Sequence, residues 1–330
     1  MRAAVCRSYG PPESISVEDD YPSPALADGQ VRVRVGAASV NFPDVLLMAD
    51  QYQMTVPVPF IPGSEFAGTV TEVADGVTTF SPGDRVMGTV MVGAFAEEVT
   101  VPVRSLTGVP DNVSAESAAA FGVAHRTAYH ALRTIAAGQP GETLVVLGAG
   151  GGVGLAAVQL GAVLGMEVTA VASSDEKLAV AAANGAEKTI NHKNFPNGPS
   201  DLRSFLRDLH PAGTDIIVDP VGGGLAEPAL RSLRWAGRFV SVGYAAGSIP
   251  KIPLNLVLLK GCKVLGFQMR DLSAHEPEAT ARHEAELRAL LADGKVTPHV
   301  GASFKLSEAA CGLRHVADGK AIGKVILSVG

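Results

Sequence analysis

Residues Gly148-Ala-Gly-Gly-Gly-Val-Gly154 stand between a short apolar run and a longer one, and this arrangement constrains the fold more than any other feature of the chain. Before them, Thr143-Leu-Val-Val-Leu147 is apolar and β-branched, the pattern of a buried strand. After them, Leu155-Ala-Ala-Val-Gln-Leu-Gly-Ala-Val-Leu164 is an apolar helix. Strand, glycine turn and helix start together suit a dinucleotide pyrophosphate: residues without side chains let the backbone approach the phosphates, and the first-turn N–H groups face the negative charge. The usual G-x-G-x-x-G pattern is met as Ala149-x-Gly151-x-x-Gly154, with alanine in the first position and Gly148 just ahead of it. All seven residues, Gly148, Ala149, Gly150, Gly151, Gly152, Val153 and Gly154, are therefore candidates for cofactor contact.

The end of the next strand, Glu167–Ala172, reads the type of cofactor. An acidic side chain about twenty residues beyond the glycines accepts hydrogen bonds from the ribose hydroxyls of NAD. Here Ala172-Ser173-Ser174 occupies that place, with Lys177 close behind. Hydroxyls and an ammonium suit a 2′-phosphate, which a carboxylate would repel, so the pattern points to NADPH. Ser174 is also placed to cap a helix Asp175–Ala183, and the two roles are compatible.

The rest of the chain fits an α/β reading. Strands are expected at 143–148, 167–172, 187–190, 214–219 and 237–243, with helices at 152–164, 174–183, 200–209 and 224–235. This alternation implies a doubly wound parallel sheet covered on both faces. The first third is different: Val31–Val35, Glu65–Val73, Asp84–Met91 and Ala94–Val101 are short strands punctuated by Gly and Pro, as in a small, partly open barrel. A helix over 115–137, broken near Gly122, leads from one region to the other. Two further helices, Glu276–Ala292 and Ser307–Ala317, and a final strand Lys324–Val329 follow the sheet. The charges of 276–288 read as a solvated face, and Trp235 as packing behind a helix.

With 330 residues the chain has room for two domains, and 47% hydrophobic residues supply their cores. A net charge of −6 without a basic cluster argues against nucleic acid. No apolar run approaches a membrane span, and the strand-like N-terminus lacks a secretory segment, so a cytoplasmic location is expected. The three cysteines, Cys6, Cys262 and Cys311, are too few and too widely spaced for a disulfide framework or a metal lobe. His125, His130 and His275 match no metal spacing.

Over essentially its whole length the chain resembles the medium-chain dehydrogenases/reductases, and within them the zinc-free quinone oxidoreductases, the group containing zeta-crystallin. The likeness rests on Val40-Asn-Phe-Pro-Asp44, Tyr52, Ile61-Pro-Gly-Ser-Glu-Phe-Ala-Gly68, Pro82-Gly-Asp-Arg-Val86, Thr127-Ala-Tyr129, Gly148–Gly154, Asp219-Pro-Val-Gly222 and Pro253–Gly261. It implies a GroES-like substrate domain from both ends of the chain (1–123 and 269–330) and a Rossmann NADP-binding domain (124–268). It also implies an active site in the cleft between them and a homodimer.

In the zinc-dependent members, by the same resemblance, catalytic ligands stand at the positions of Asn41, Ser64 and Val123, none of which is a thiolate or imidazole. No metal is therefore expected. Without a Lewis acid to stabilise an alkoxide, hydride transfer from NADPH to a small quinone or activated enone fits better than alcohol oxidation. Tyr52 is the candidate proton donor, at the spacing from Asp44 seen in enoyl-thioester reductases. Asn41 is a candidate donor to the substrate oxygen or the nicotinamide ribose, and Asp44 a residue that orients its neighbours. The resemblance adds Thr127, Asp219, Val221, Gly243, Tyr244 and Phe267 as cofactor neighbours, Asn255 as a cofactor contact or helix cap, and Lys320 as a basic residue for the phosphate. At His192 the chain departs from relatives that carry a tyrosine beside the adenosine phosphate. Two alternatives stay open: an NADPH-dependent enoyl-thioester reductase, and a protein that binds NADPH without turnover.

Overall fold

The computed structural model describes residues 1–330, which divide into two compact units, Met1–Val123 with Thr297–Gly330, and Ala124–Val296. The first unit is built on the long strand Gln30–Val40, whose alternation sends Val31, Val33 and Val35 into the core. This strand pairs antiparallel with Glu65–Val73, with Glu98–Pro102 and, at its far end, with Lys324–Ser328. Register is set by that shared strand: Ser39 lies opposite Glu65, and Val40 opposite Val325. Residues from three distant parts of the chain thus meet where Gln30–Val40 gives way to the helix Phe42–Met48. The return of the C-terminal strand, which local pattern could not show, completes the barrel.

The second unit is a six-stranded, all-parallel sheet in the order 188–191, 167–172, 143–147, 214–219, 233–241, 263–266. Numbered along the chain this is 3-2-1-4-5-6, the order of dinucleotide-binding sheets, with the reversal beside the first strand, Thr143–Leu147. That strand is apolar on both faces and buried over Leu144–Leu147, as a strand covered by helices on both sides must be.

The structure differs from the expectations at several points. The crossing back to the first unit falls at Thr297 and not at 269, because the helix Pro277–Ala292 docks on the helical stretch 124–135 of the second unit. Of its charges Glu284 and Glu286 face that seam, while Glu276, Glu278, Arg282 and Arg288 are exposed as expected. Arg126 donates to Glu284 at 2.6 Å, the Tyr129 hydroxyl to Glu286 at 2.8 Å, and the Thr134 hydroxyl bridges His130 and His283 at 2.8 and 2.7 Å. The expected helix 224–235 ends at Leu230, and the strand begins at Leu233. Leu230 and Leu233 share a helical spacing, but Leu233 pairs with Thr214 in the sheet. Trp235 accordingly lies in a strand, 76% exposed, with its ring over Gly261. Asn255 does not cap the helix Leu254–Lys260, whose cap is Pro253.

Candidate active site

The glycine turn begins where Thr143–Leu147 leaves the sheet. Gly148 has φ +61°, a left-handed conformation, and a Cβ there would stand 2.4 Å from the Val221 side chain. Gly148 therefore makes the tight turn that the first glycine of the motif ordinarily makes. Ala149 is buried, its N–H given to the Val171 carbonyl at 3.0 Å. Gly151 caps the helix Gly152–Val163. At Gly154 a Cβ would lie 2.1 Å from the Gly148 carbonyl oxygen, so only glycine lets the helix start fold back onto the turn. Gly150 faces the stem of Lys177, whose carbons a Cβ would meet at 2.6 Å. The loop, the side-chain-free path over it and the first-turn N–H groups, including that of Val153, fit a pyrophosphate.

Asp219 ends the neighbouring strand and is fully buried. Its Oδ1 accepts the N–H groups of Val221 and Gly222, both at 2.8 Å, fixing the turn that presses Val221 on Gly148. Burial raises its pKa, and those two N–H groups draw it back. Oδ2 is buried with no protein partner. Tyr244 packs over Gly222, and its hydroxyl lies 3.3 Å from that of Ser241. Gly243 sits against Pro220. Thr127 is half-buried in the helix Ala124–Tyr129, and Phe267 is half-buried just beyond the edge strand Lys263–Gly266.

Ala172 is buried at its strand end, with Ser173 and Ser174 half-buried after it. Ser174 caps the helix Asp175–Ala183, its Oγ accepting the Lys177 N–H at 3.3 Å. Asp175, the nearest carboxylate to the ribose-reading position, is bound through Oδ1 to the Asn191 amide at 2.7 Å. Lys177 and His192 are close enough to influence each other: burial lowers the pKa of both, and Lys193 and Lys177 lower that of His192 further. A cationic, hydroxyl-bearing corner at this strand end fits a 2′-phosphate.

In the first unit, Asn41 caps the helix Phe42–Met48. Its N–H donates to Asp44 Oδ2 at 2.7 Å. Its side-chain amide is engaged on both sides: Oδ1 accepts from Lys324 Nζ at 2.5 Å, and Nδ2 donates to Glu65 Oε2 at 3.1 Å and to the Ser39 carbonyl at 3.4 Å. Lys324 Nζ also bonds Glu65 Oε2 at 3.0 Å, and Glu65 Oε1 accepts the Val123 N–H at 2.8 Å. The side chains of Lys324 and Glu65 are only 4% and 1% exposed. Asn41, expected as a donor to the substrate oxygen or the nicotinamide ribose, thus stands in a buried polar cluster with its amide bonded to Lys324, Glu65 and Ser39.

Asp44 is fully buried, and burial pushes its carboxyl up to about 7, against the pull of the Asn41 N–H, the Ser64 hydroxyl and Lys324. It is a buried helix-start residue. Tyr52 is half-buried on the same core. Lys320 is exposed and paired with Asp318 at 3.0 Å; the lysine that matters locally is Lys324, four residues on. Asn41, Ser64 and Val123 do converge, on Glu65, but the group facing that carboxylate is an ammonium, and amide, hydroxyl and backbone do not fit a zinc ligand set.

Comparison with known proteins agrees with this architecture. Residues 27–111 match the model of the alcohol dehydrogenase GroES-like domain, and residues 152–285 that of the zinc-binding dehydrogenase family. A quinone oxidoreductase-like protein 2 homolog of Nematostella vectensis is 36% identical, over 99% of this chain and 88% of its own. The chain belongs to the zinc-free quinone oxidoreductase group of the medium-chain dehydrogenase/reductase superfamily. Quinone oxidoreductase of Thermus thermophilus, solved alone and with NADPH, is 33% identical with a TM-score of 0.84, covering 100% of both chains. That of Escherichia coli, complexed with NADPH, is 25% identical with a TM-score of 0.89, again over 100% of both. Like these relatives, the protein is an NADPH-dependent oxidoreductase.

Proposed function

We propose that the protein reduces quinones and small activated enones with NADPH, without a metal Lewis acid. The observation that carries this reading is the Asn41–Glu65–Lys324 network. At the positions where zinc-dependent relatives hold ligands by resemblance, the Asn41 amide is bonded to Lys324 and Glu65, and these two form a buried ion pair. Such a site has nothing to stabilise an alkoxide, so the acceptor must already carry an electron-poor carbon. Bound NADPH supplies the hydride. The protein's part is to hold the cofactor and to meet the negative charge that develops on the conjugated oxygen. Asp219 does the first through its hold on the Val221–Gly222 turn; Tyr52 does the second, donating its phenolic hydrogen.

Loss of nicotinamide absorbance against a panel of quinones, enones and enoyl thioesters tests the proposal. Turnover with quinones or enones, cut about tenfold to a hundredfold by Tyr52→Phe with NADPH affinity kept, is the expected result. A flat trace across the panel with NADPH binding intact would leave a binding protein. One observation favours the enoyl-thioester reading: a pocket of about 470 Å³ in the second unit is lined by Ser200, Arg203, Arg231 and Lys251, cations suited to a phosphorylated substrate. Glu227 already holds Arg231 at 2.7 Å, which weakens that attraction. Faster turnover of enoyl-CoA than of the free enone would reverse the order of the two readings.

We also propose a homodimer, formed at the open edge of the parallel sheet. The edge strand Lys263–Gly266 exposes Val264, and Trp235, Leu254, Leu258 and Leu259 are exposed beside it, an apolar surface unusual for a solitary chain. A twofold axis would pair two such edges. Light scattering should give twice the chain mass, falling to one with Val264→Lys; an unchanged monomer in both would end the idea.

A further inference from the structure

Strand register brings His192 to the corner where the ribose 2′ position is read. Lys188–Asn191 pairs with Thr169–Ala172, Asn191 opposite Ala172, so His192 leaves the sheet level with Ser173. The charges around it are few and come from three elements. Lys193 lies on its own turn. The helix Asp175–Ala183 offers Lys177, with Glu176 beside that lysine and Asp175 tied to Asn191 at 2.7 Å. On the adjoining turn Gly198–Asp201, Asp201 is held by Asn197 at 2.9 Å. None of these carboxylates acts appreciably on the ring, while two ammonium groups oppose its protonation. Burial acts in the same direction, so the imidazole is held neutral more strongly than usual. A dianionic phosphate arriving between Lys177 and His192 reverses that balance, because its charge favours the imidazolium and both ring N–H groups then donate.

We propose that His192 takes up a proton when a 2′-phosphate binds, so that the preference of this protein for NADPH over NADH strengthens as the pH falls toward the phosphate's own second pKa of about 6. The inference rests on the reading of this corner as the 2′-phosphate site. It makes His192 a specificity residue whose contribution is set by pH, whereas Lys177 contributes throughout. The sign separates it from a purely lysine-bound phosphate. Cations alone lower the phosphate pKa and release protons on binding; a titrating imidazole absorbs them.

Calorimetry in buffers of different ionisation enthalpy counts those protons, using adenosine 2′,5′-bisphosphate with AMP as the probe lacking the 2′-phosphate. At neutral pH the wild type should take up protons with the bisphosphate alone, and His192→Gln should release them or exchange none. The ratio of NADH to NADPH dissociation constants should rise roughly threefold to tenfold from about pH 8.5 to pH 6.5, the response of an imidazolium whose pKa rises by one to two units on binding. His192→Gln and His192→Tyr should both flatten that rise. Equal proton uptake and equal pH slope in wild type and His192→Gln would overturn the proposal, as would a flat ratio in the wild type while Lys177→Ala still weakens NADPH. A bisphosphate that binds no tighter than AMP at any pH, with Lys177→Ala without effect, would instead remove the 2′-phosphate reading itself.

Discussion

Replacing Lys324 by methionine keeps the apolar stem of the side chain and removes a buried ammonium, leaving the Glu65 carboxylate without its counter-ion. The two groups are 3.0 Å apart, with side chains 4% and 1% exposed. Breaking such a pair from one side typically costs about 3–5 kcal/mol, since the remaining charge is neither solvated nor paired. Glu65 would keep the Val123 N–H at 2.8 Å and the Asn41 amide at 3.1 Å, which places the expected loss near the lower end, about 3 kcal/mol at pH 8. Glu65→Gln added to Lys324→Met removes the stranded charge and should recover at least half of the loss. Urea unfolding followed by far-UV circular dichroism at pH 8 compares the wild type with both variants. A loss below about 1 kcal/mol at pH 8, or a double variant no more stable than the single one, would refute the claim that this ion pair is a closed, solvent-excluded unit.

Two further outcomes follow from the same geometry. At Gly154 an alanine Cβ would stand 2.1 Å from the Gly148 carbonyl, whereas at Gly151 it would stand 3.6 Å from the nearest atom. Gly154→Ala should therefore destabilise the second unit in urea unfolding, while Gly151→Ala should keep its stability and weaken NADPH in fluorescence titration. Asp44 titrates in the folded protein at about 7 against an ordinary value of 3.8. A folded pKa above the unfolded one means that its contribution to stability is complete below about pH 4 and is lost as the pH rises through 7. Asp44→Asn, which keeps an acceptor for the Asn41 N–H, should flatten stability over that range, and an unchanged pH slope would show that Asp44 does not cause it.

The second unit is legible in the sequence because its rules are local. Thr143–Leu147, the glycine turn and the helix after it declare themselves within about twenty residues, and strand–helix alternation leaves a parallel sheet as the consistent arrangement. The differences there come from signals that are ambiguous over short spans. Leu230 and Leu233 suit a helix or a strand start equally, and the charges of the helix Pro277–Ala292 look solvated until Arg126 and Tyr129 are found beneath them. In the first unit the decisive contacts are long-range. Lys324 lies 283 positions from Asn41 and 259 from Glu65, and the only trace it leaves is a lysine opening an otherwise apolar strand that proves buried. Lys320, in an exposed turn four residues earlier, offers the same charge without the burial that gives Lys324 its role.

That distance also explains why the sequence locates Asn41 but does not show its partners. Resemblance places Asn41 where relatives use a ligand, and the fold does bring it beside Ser64, Glu65 and Val123. Its chemistry is decided by a partner that resemblance to the motif does not include. An amide with its oxygen on Lys324 and its nitrogen on Glu65 holds the helix start in place. The same ammonium neutralises Glu65 and lowers the cost of burying Asp44, so three polar residues stay inside the barrel through one lysine. Positive charge at this point of the fold is thus supplied by the chain itself, and the role proposed for Tyr52, donation to a developing oxyanion, is assigned to a residue outside the network.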